Sequence, residues 1–428
     1  MSDFPGRLVV KRFLLLLTLG VFCFCFRISA QAVRQLSLKE AIAIAINHNP
    51  QSNISRRRID AQRGQFWRSL SLPPPSLSVN YAFIPLGSRL EQFSERTIEL
   101  AQSFDFPTTI ALRGSRAFSE IRAAETEYTA TENEIISRVK IAYSNILAKQ
   151  QKLSLAEENQ SLAEDFAKKS AARRNLGEGT HLEQLTASVQ RSQALNAVQT
   201  VTSELRIAMD ELGLLLGQRR GPPHNEFMLT DSMTYAPESI SLEQYLEMAK
   251  ASNTQLRFSS LRRDIASTGY SLAWSSLLPS FSASYFRQTR DGVSGLYGAS
   301  LGISVPLWFL FDQRGQIQTA SAELSIAEHE LGFAEDSVTV AVRTAYYEKL
   351  NSERQLRLYQ TGILPESDEI LRAAKASYNA GEITYLEFLQ AKQTVLQARS
   401  SYIDVFLAYN IARARLEQIV GRKLDSSL

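Results

Sequence analysis

The chain has 428 residues, 44% of them hydrophobic, with 47 Lys and Arg against 44 Asp and Glu. That length could hold two or three ordinary domains, and the composition excludes a disordered polar polymer. Residues 1–32 carry four of the basic residues and one of the acids, so 43 of each remain and no basic surface is left for nucleic acid.

Residues 1–32 read as a cleaved secretory signal. Arg7, Lys11 and Arg12 open it, Phe13 to Phe26 are apolar, and Ala30-Gln31-Ala32 closes it with small residues. A membrane anchor is the alternative, but about 14 apolar residues are too few to span a bilayer as a helix. Cys23 and Cys25 both fall inside this segment, so the expected mature chain has no disulfide and no thiolate metal site. Phe22 and Phe24 precede the two cysteines where a lipoprotein signal needs small residues, so a diacyl anchor is not expected.

The rest is written twice. Gly177-Glu-Gly-Thr-His-Leu-Glu183 recurs as Gly381-Glu-Ile-Thr-Tyr-Leu-Glu387, at an offset of 204. Ser37, Asn49, Asp60, Pro75, Tyr81 and Gly217 keep the same offset to Ser241, Asn253, Asp264, Pro279, Tyr285 and Gly421. Between Tyr81 and the hairpin turn the register slips by a few residues, since Pro107 pairs with Pro306 and Arg113-Gly114 with Arg314-Gly315. Each half predicts a short helix, a medium helix, two strands, a very long helix, a turn and a long helix. The first repeat is expected over 33–217, with strands at about 76–84 and 97–106 and a helical hairpin at about 112–216. A linker at 218–240 and a tail at 422–428 flank the second repeat, 241–421, with strands at about 280–287 and 298–306 and a hairpin at about 313–420.

The strands alternate: Leu77, Val79, Tyr81 and Phe83 on one face, Ser76, Ser78, Asn80 and Ala82 on the other. A soluble sheet packed on one side and a transmembrane barrel both fit that pattern. The helices favour the second. No proline occurs from Thr108 to Gly221, and Ile135, Val139, Ala142, Ile146, Leu153, Ala156, Ala163 and Ala167 form a coiled-coil seam. Tyr143, Leu147, Leu155, Leu162 and Phe166 leave other faces apolar, so the helix needs neighbours on both sides. Pro365 interrupts the second long helix where the first has Ser161, which predicts a kink or weak point in one hairpin only. Four strands cannot close a membrane barrel, and open edges in lipid are costly, so several chains must pool their strands.

No chemistry is spelled out. His48, His181, His224 and His329 are scattered without paired spacing, and no nucleophile elbow, phosphate loop or dinucleotide fingerprint occurs. No enzyme activity, cofactor or bound metal is expected.

From Ile363-Leu-Pro-Glu through Gly381-Glu-Ile-Thr-Tyr-Leu-Glu387 to Gln397-Ala-Arg399, and over residues 36–421 as a whole, the chain resembles the TolC-like outer-membrane efflux proteins. Its wording is nearest the heavy-metal-efflux, CzcC-like branch. The resemblance implies a mainly α fold with a small β part: a long periplasmic coiled-coil α-barrel, and four strands per chain in a trimeric 12-stranded β-barrel. It implies a homotrimer in the outer membrane of a Gram-negative cell, a periplasmic adaptor protein and an inner-membrane pump of the resistance-nodulation-division type. The chain would passively export what that pump delivers, metal cations among the candidates. A structural periplasmic coiled-coil adaptor module is the other reading.

The resemblance also places residues. The tips Gly177, Glu178, Thr180, Gly381, Glu382 and Thr384 would dock the adaptor, although Gly and Thr at these places also serve as helix caps. Glu387 would join a carboxylate ring at the periplasmic entrance, with Gln390 where a second acid often stands. An ordinary solvated glutamate is the plainer account. A closed gate would be latched by Tyr378 donating to Glu183, with Ile383 replacing an arginine common in drug exporters. Otherwise Tyr378 packs in the seam and Glu183 pairs with a nearby Lys or Arg.

Overall fold

The computed structural model describes residues 34–218, 227–232, 235, 239–307 and 311–421. The expected signal segment with its cysteines, His224, Pro222, Pro223, Pro237 and the tail at 422–428 lie outside the described residues.

The first repeat opens on β1 (Arg34–Leu36) and α1 (Leu38–His48). Ser37 starts α1 by a reciprocal cap: its hydroxyl accepts the Glu40 N–H at 3.3 Å, and the Glu40 carboxylate accepts the Ser37 N–H at 3.0 Å. Asn49 ends α1 and starts α2 (Pro50–Ser69), its side-chain oxygen accepting the Gln51 N–H at 2.8 Å. Then come β2 (Ser76–Ala82), β3 (Glu95–Phe104), α3 (Pro107–Asn175) and α4 (His181–Leu215). After β4 (Phe227–Leu229), the second repeat follows as α5 (Leu242–Ser252), α6 (Thr254–Ser275), β5 (Ser280–Arg290) and β6 (Val293–Ser304). It finishes with α7 (Asp312–Leu358), a π-turn over Tyr359–Ile363, α8 (Leu364–Asn379) and α9 (Tyr385–Val420).

The strand limits differ from those expected, for local reasons. Phe83 has φ of 56° and ends β2 early, while Pro107 at the first helical position makes Phe106 a helix cap rather than a strand end. Asp291 and Gly292, with φ of 50° and 83°, form a tight turn that lets β6 begin at Val293 instead of 298. The expected linker is also partly built. β4 pairs in parallel with β1, and Asp231 accepts the Leu38 N–H and the Tyr143 hydroxyl, each at 2.7 Å. Burial and that carboxylate push the Tyr143 hydroxyl well above the usual phenol range.

The four longer strands form one antiparallel sheet in the order β2-β3-β5-β6. Its register stacks Leu77, Leu100, Tyr285 and Ala299 across one face, with Val79, Ile98, Phe281, Leu301 and Ile303 beside them. Leu77 is 70% and Leu301 90% exposed, so none of the described residues covers this face there. The other face carries Ser78, Glu99, Thr97, Ser282, Ser284 and Ser300. An apolar outer face, a polar inner face and open edges at β2 and β6 are the pattern of a barrel segment, not of a sheet resting on its own core.

At 69 residues, α3 runs roughly 100 Å. It packs against α2, α4, α6 and α9, which supplies the neighbours on both sides that its apolar faces require. Of the seam, Ile135, Val139, Ala142, Ile146 and Ala163 are buried. Two equivalent cores sit where the short helices lie on the long ones. Ala41 and Ala45 meet Ile135, Val139, Tyr143 and Leu212 in the first repeat; Tyr245 and Ala249 meet Val338, Val342 and Leu416 in the second. Among the described residues no helix is long and apolar enough to cross a membrane.

Candidate functional site

The free ends of the two hairpins are built by the repeated motif. Gly177 and Gly381 adopt φ of 78° and 76°, the left-handed conformation that glycine enters without strain. Each closes the helix before it by the same pair of bonds. Glu178 N–H reaches the Arg173 carbonyl at 2.9 Å and Gly177 N–H the Arg174 carbonyl at 3.0 Å; Glu382 and Gly381 do the same to Ser377 and Tyr378 at 2.9 and 3.1 Å. Neither glycine has an atom near its missing Cβ, so both tips are open to a partner. Thr180 and Thr384 cap the following helices, their hydroxyls accepting the N–H of Glu183 at 3.1 Å and of Glu387 at 3.3 Å.

Glu387 is exposed and turned back on its own cap. Its carboxylate accepts the Thr384 N–H at 2.7 Å and the Thr384 hydroxyl at 2.9 Å, and those bonds hold it below the usual carboxylate range. Gln390 is exposed one turn further along α9. A carboxylate so fixed is a defined negative point at the mouth of the hairpin.

The expected bond from Tyr378 to Glu183 is absent, because Arg173 stands between them. Its guanidinium lies 3.5 Å from a Glu183 carboxylate oxygen and donates to the Tyr378 hydroxyl, also at 3.5 Å. The arginine thus comes from α3 of the first hairpin, whereas position 383 of the second holds an uncharged isoleucine. The Tyr378 ring meanwhile packs, at centroid distances of 5.3 Å from Phe388 and 5.8 Å from Phe166. Phe166 in turn stacks on Tyr385 at 3.7 Å, and burial raises the Tyr385 hydroxyl to about 12. This aromatic clamp joins the two hairpins just behind the tips. Its one readable sign in the sequence is the clustering of Tyr378, Tyr385 and Phe388 around Gly381, with Phe166 three turns before Gly177.

Pro365 occupies the first turn of α8, directly after the π-turn, where the Leu364 N–H reaches five residues back to the Tyr359 carbonyl. The widened turn absorbs the proline without ending the helix, while α3 runs uninterrupted past Ser161. Beyond it, Arg399 of α9 holds Asp368 of α8 at 2.8 Å and Glu158 of α3 at 3.4 Å. Higher on the same helix, Lys152 pairs with Asp404 at 2.6 Å and Lys140 with Glu417, so α9 is tied to the first hairpin along its length. No group of three His, Cys, Asp or Glu among the described residues could hold a metal ion.

Comparison with known proteins agrees with this architecture. The profile of a family described as outer membrane efflux protein matches residues 245–422. The chain is 22% identical to the cobalt-zinc-cadmium resistance protein CzcC of Cupriavidus metallidurans, over 92% of this chain and 91% of the relative. It is also 22% identical to the outer membrane protein TolC of Vibrio cholerae, over 83% of each. Among solved structures, CusC superposes with a TM-score of 0.75 at 18% identity, covering 93% of this chain and 95% of the other. The CmeC outer membrane channel of Campylobacter jejuni gives 0.78 at 15% identity, over 91% and 87%.

Proposed function

We propose that this chain, which belongs to the TolC-like outer-membrane efflux proteins, is the passive outer-membrane duct of a tripartite exporter, drawing its driving force from an inner-membrane pump through a periplasmic adaptor. The family is one of transport channels of the outer membrane and not of enzymes. The observation that carries the proposal is the uncovered apolar face of a four-stranded sheet with two open edges, set at one end of helices roughly 100 Å long. Three such sheets closing edge to edge supply twelve strands, remove every edge and leave a polar inner wall. The open tips at Gly177 and Gly381 are the surfaces offered to an adaptor, and the repeated caps hold them in shape.

Divalent metal cations are the proposed cargo. What supports this is the likeness to CzcC, a protein named for cobalt, zinc and cadmium resistance. With no metal cluster among the described residues, selection belongs to the pump, and the duct contributes at most the fixed charge of Glu387 at its entrance. The test has two arms. Cross-linking of the detergent-solubilised protein from the outer-membrane fraction should stop at three chains. Deleting the gene in its host should lower tolerance of zinc, cobalt or cadmium, restored by the intact gene. A monomer in the soluble fraction sinks the duct; unchanged metal tolerance with a normal trimer sinks the cargo only.

A further inference from the structure

The apolar face of the sheet changes character along its length. From the end nearest the long helices its first rows are uncharged: Phe104, Phe281 and Ile303, then Gln102, Ala283 and Leu301, then Leu77, Leu100, Tyr285 and Ala299. Each of the next two rows sets an arginine opposite a tyrosine or beside one. Arg287 shares its row with Val79, Ile98 and Tyr297, and Arg96 with Tyr81 and Thr289. Since Ile98 pairs with Arg287 and Arg96 with Thr289, the two arginines are diagonal neighbours on one face, roughly 7–8 Å apart. The Arg96 guanidinium lies 5.7 Å over the Phe93 ring, and that ring meets Tyr81 edge-on at 5.1 Å, so an aromatic pair holds the charge at this level. Both arginines belong to the middle strands β3 and β5, so closing the barrel at β2 and β6 leaves them uncovered.

We propose that Arg96 and Arg287 bind the phosphate of a phosphorylated glycolipid of the outer leaflet, on the outside of the barrel. Placement on the sheet carries the proposal. An arginine on a lipid-facing strand is costly at the bilayer midplane and nearly free at the headgroup level, so this pair marks where the apolar band ends. That end is the one at the Asp291-Gly292 turn, away from the helices and therefore at the outer leaflet. Phe104, Phe281 and Ile303, at the other end of the same face, bring no charge to the inner boundary. Two guanidiniums at diagonal spacing can each direct parallel N–H donors at one phosphate group. Ile98 and Leu100, 40% and 51% exposed in the rows at and below Arg287, offer the surface for the acyl chains, which a soluble phosphate lacks. The site rests on the outer-membrane reading, since it needs this face to meet lipid.

The full-length detergent-solubilised protein is mixed with bisphosphorylated lipid A or with the same lipid stripped of its phosphates, and retention is read by native mass spectrometry. Wild type should retain the phosphorylated lipid about tenfold or more better than the stripped one. The double variant Arg96→Gln/Arg287→Gln should lose that preference, with the cross-linked oligomer and thermal unfolding unchanged. Arg290→Gln should keep it, because pairing with Glu95 puts Arg290 on the inner face of the same strand. Equal retention of the two lipids by wild type overturns the site without recourse to any variant, and so does a double variant that keeps the preference. A normal outer-membrane trimer with no lipid preference sinks the site alone, whereas a chain that forms no such trimer sinks the duct reading.

Discussion

Glu183 and Glu387 occupy the same place in the two repeats, the third residue of the helix after each turn, yet only Glu387 folds back onto its own threonine. Glu183 instead lies 3.5 Å from the Arg173 guanidinium as an ion pair, so the first repeat has given up half of its capping box for a charge contact behind the tip.

The Glu387 cap makes a charge test clean. In Glu387→Gln the amide oxygen can still accept from Thr384, as Gln244 does from Ser241 in α5. Helix α9 should therefore form normally, while cation selectivity in single-channel recordings falls. The pH dependence follows from the lowered value of Glu387. A carboxylate whose folded value lies below its unfolded one contributes above the unfolded value, and that contribution disappears as pH falls through the folded one. Block by divalent cations should fade over that same acidic range in the wild type. Glu387→Gln should show little block at any pH. Selectivity identical to wild type at neutral pH would leave Glu387 a cap and nothing more.

The buried asparagines should be the costliest polar deletions in the helical part. Asn253 donates to the Ile419 carbonyl at 2.6 Å while its oxygen caps α6 at Leu256, 2.9 Å away; Asn49 donates to Leu215 at 2.9 Å and caps α2. Asn→Ala at either site removes a cap and orphans a buried carbonyl, for about 2–4 kcal/mol together. Asn→Asp keeps the cap and loses the donor, so it should fall between Ala and wild type. Thermal unfolding of the solubilised protein orders the three, and an Ala variant as stable as wild type would refute the staple.

Much of the fold is legible in the amino-acid sequence itself. The offset of 204 dictates the order of elements because caps, glycines and alternation all repeat with it, and each of those signals is local. Gly217 and Gly421 show where local reading stops. Their repetition is plain in the sequence, but not that a Cβ would meet the His48 or Ser252 carbonyl oxygen at 2.3 Å, which is why nothing but glycine closes those helices. The β1–β4 pair escapes a sequence reading because three-residue strands carry no periodicity, and Asp231 because its partners lie 193 and 88 residues away. The gate residues resist it for a third reason. The motif brings Tyr378 and Glu183 near each other, but which cation enters between them depends on how two hairpins cross.

The orientation of the sheet can be checked with two neighbouring residues. Leu301 is on the uncovered apolar face and Ser300 on the opposite one, bonded to Ser284 at 2.7 Å. Leu301→Lys should cost about 2–4 kcal/mol if it lies near the bilayer centre and lower the yield of folded trimer. Ser300→Lys should leave assembly intact and shift conductance. The reverse pattern would place the lumen on the wrong face.

The last prediction concerns what keeps the hairpins together at rest. The Tyr378 hydroxyl meets Arg173 at 3.5 Å, the outer limit of a hydrogen bond, whereas its ring is packed among Phe166, Tyr385 and Phe388. Tyr378→Phe removes only the weak contact, so it should alter conductance little and stability by less than about 0.5 kcal/mol. Arg173→Gln removes the charge that bridges to Glu183, whose side chain is 16% exposed against 45% for the arginine. A half-exposed pair is worth about 0.2–1 kcal/mol, so three copies bias the closed arrangement by about 0.6–3 kcal/mol and the open population by roughly three- to 160-fold. Raised single-channel conductance and entry of large antibiotics in Arg173→Gln, with Tyr378→Phe near wild type, would place the latch on the arginine. Were Tyr378→Phe the leakier of the two, the hydroxyl would carry more than its distance suggests, and the bridge through Arg173 would be wrong.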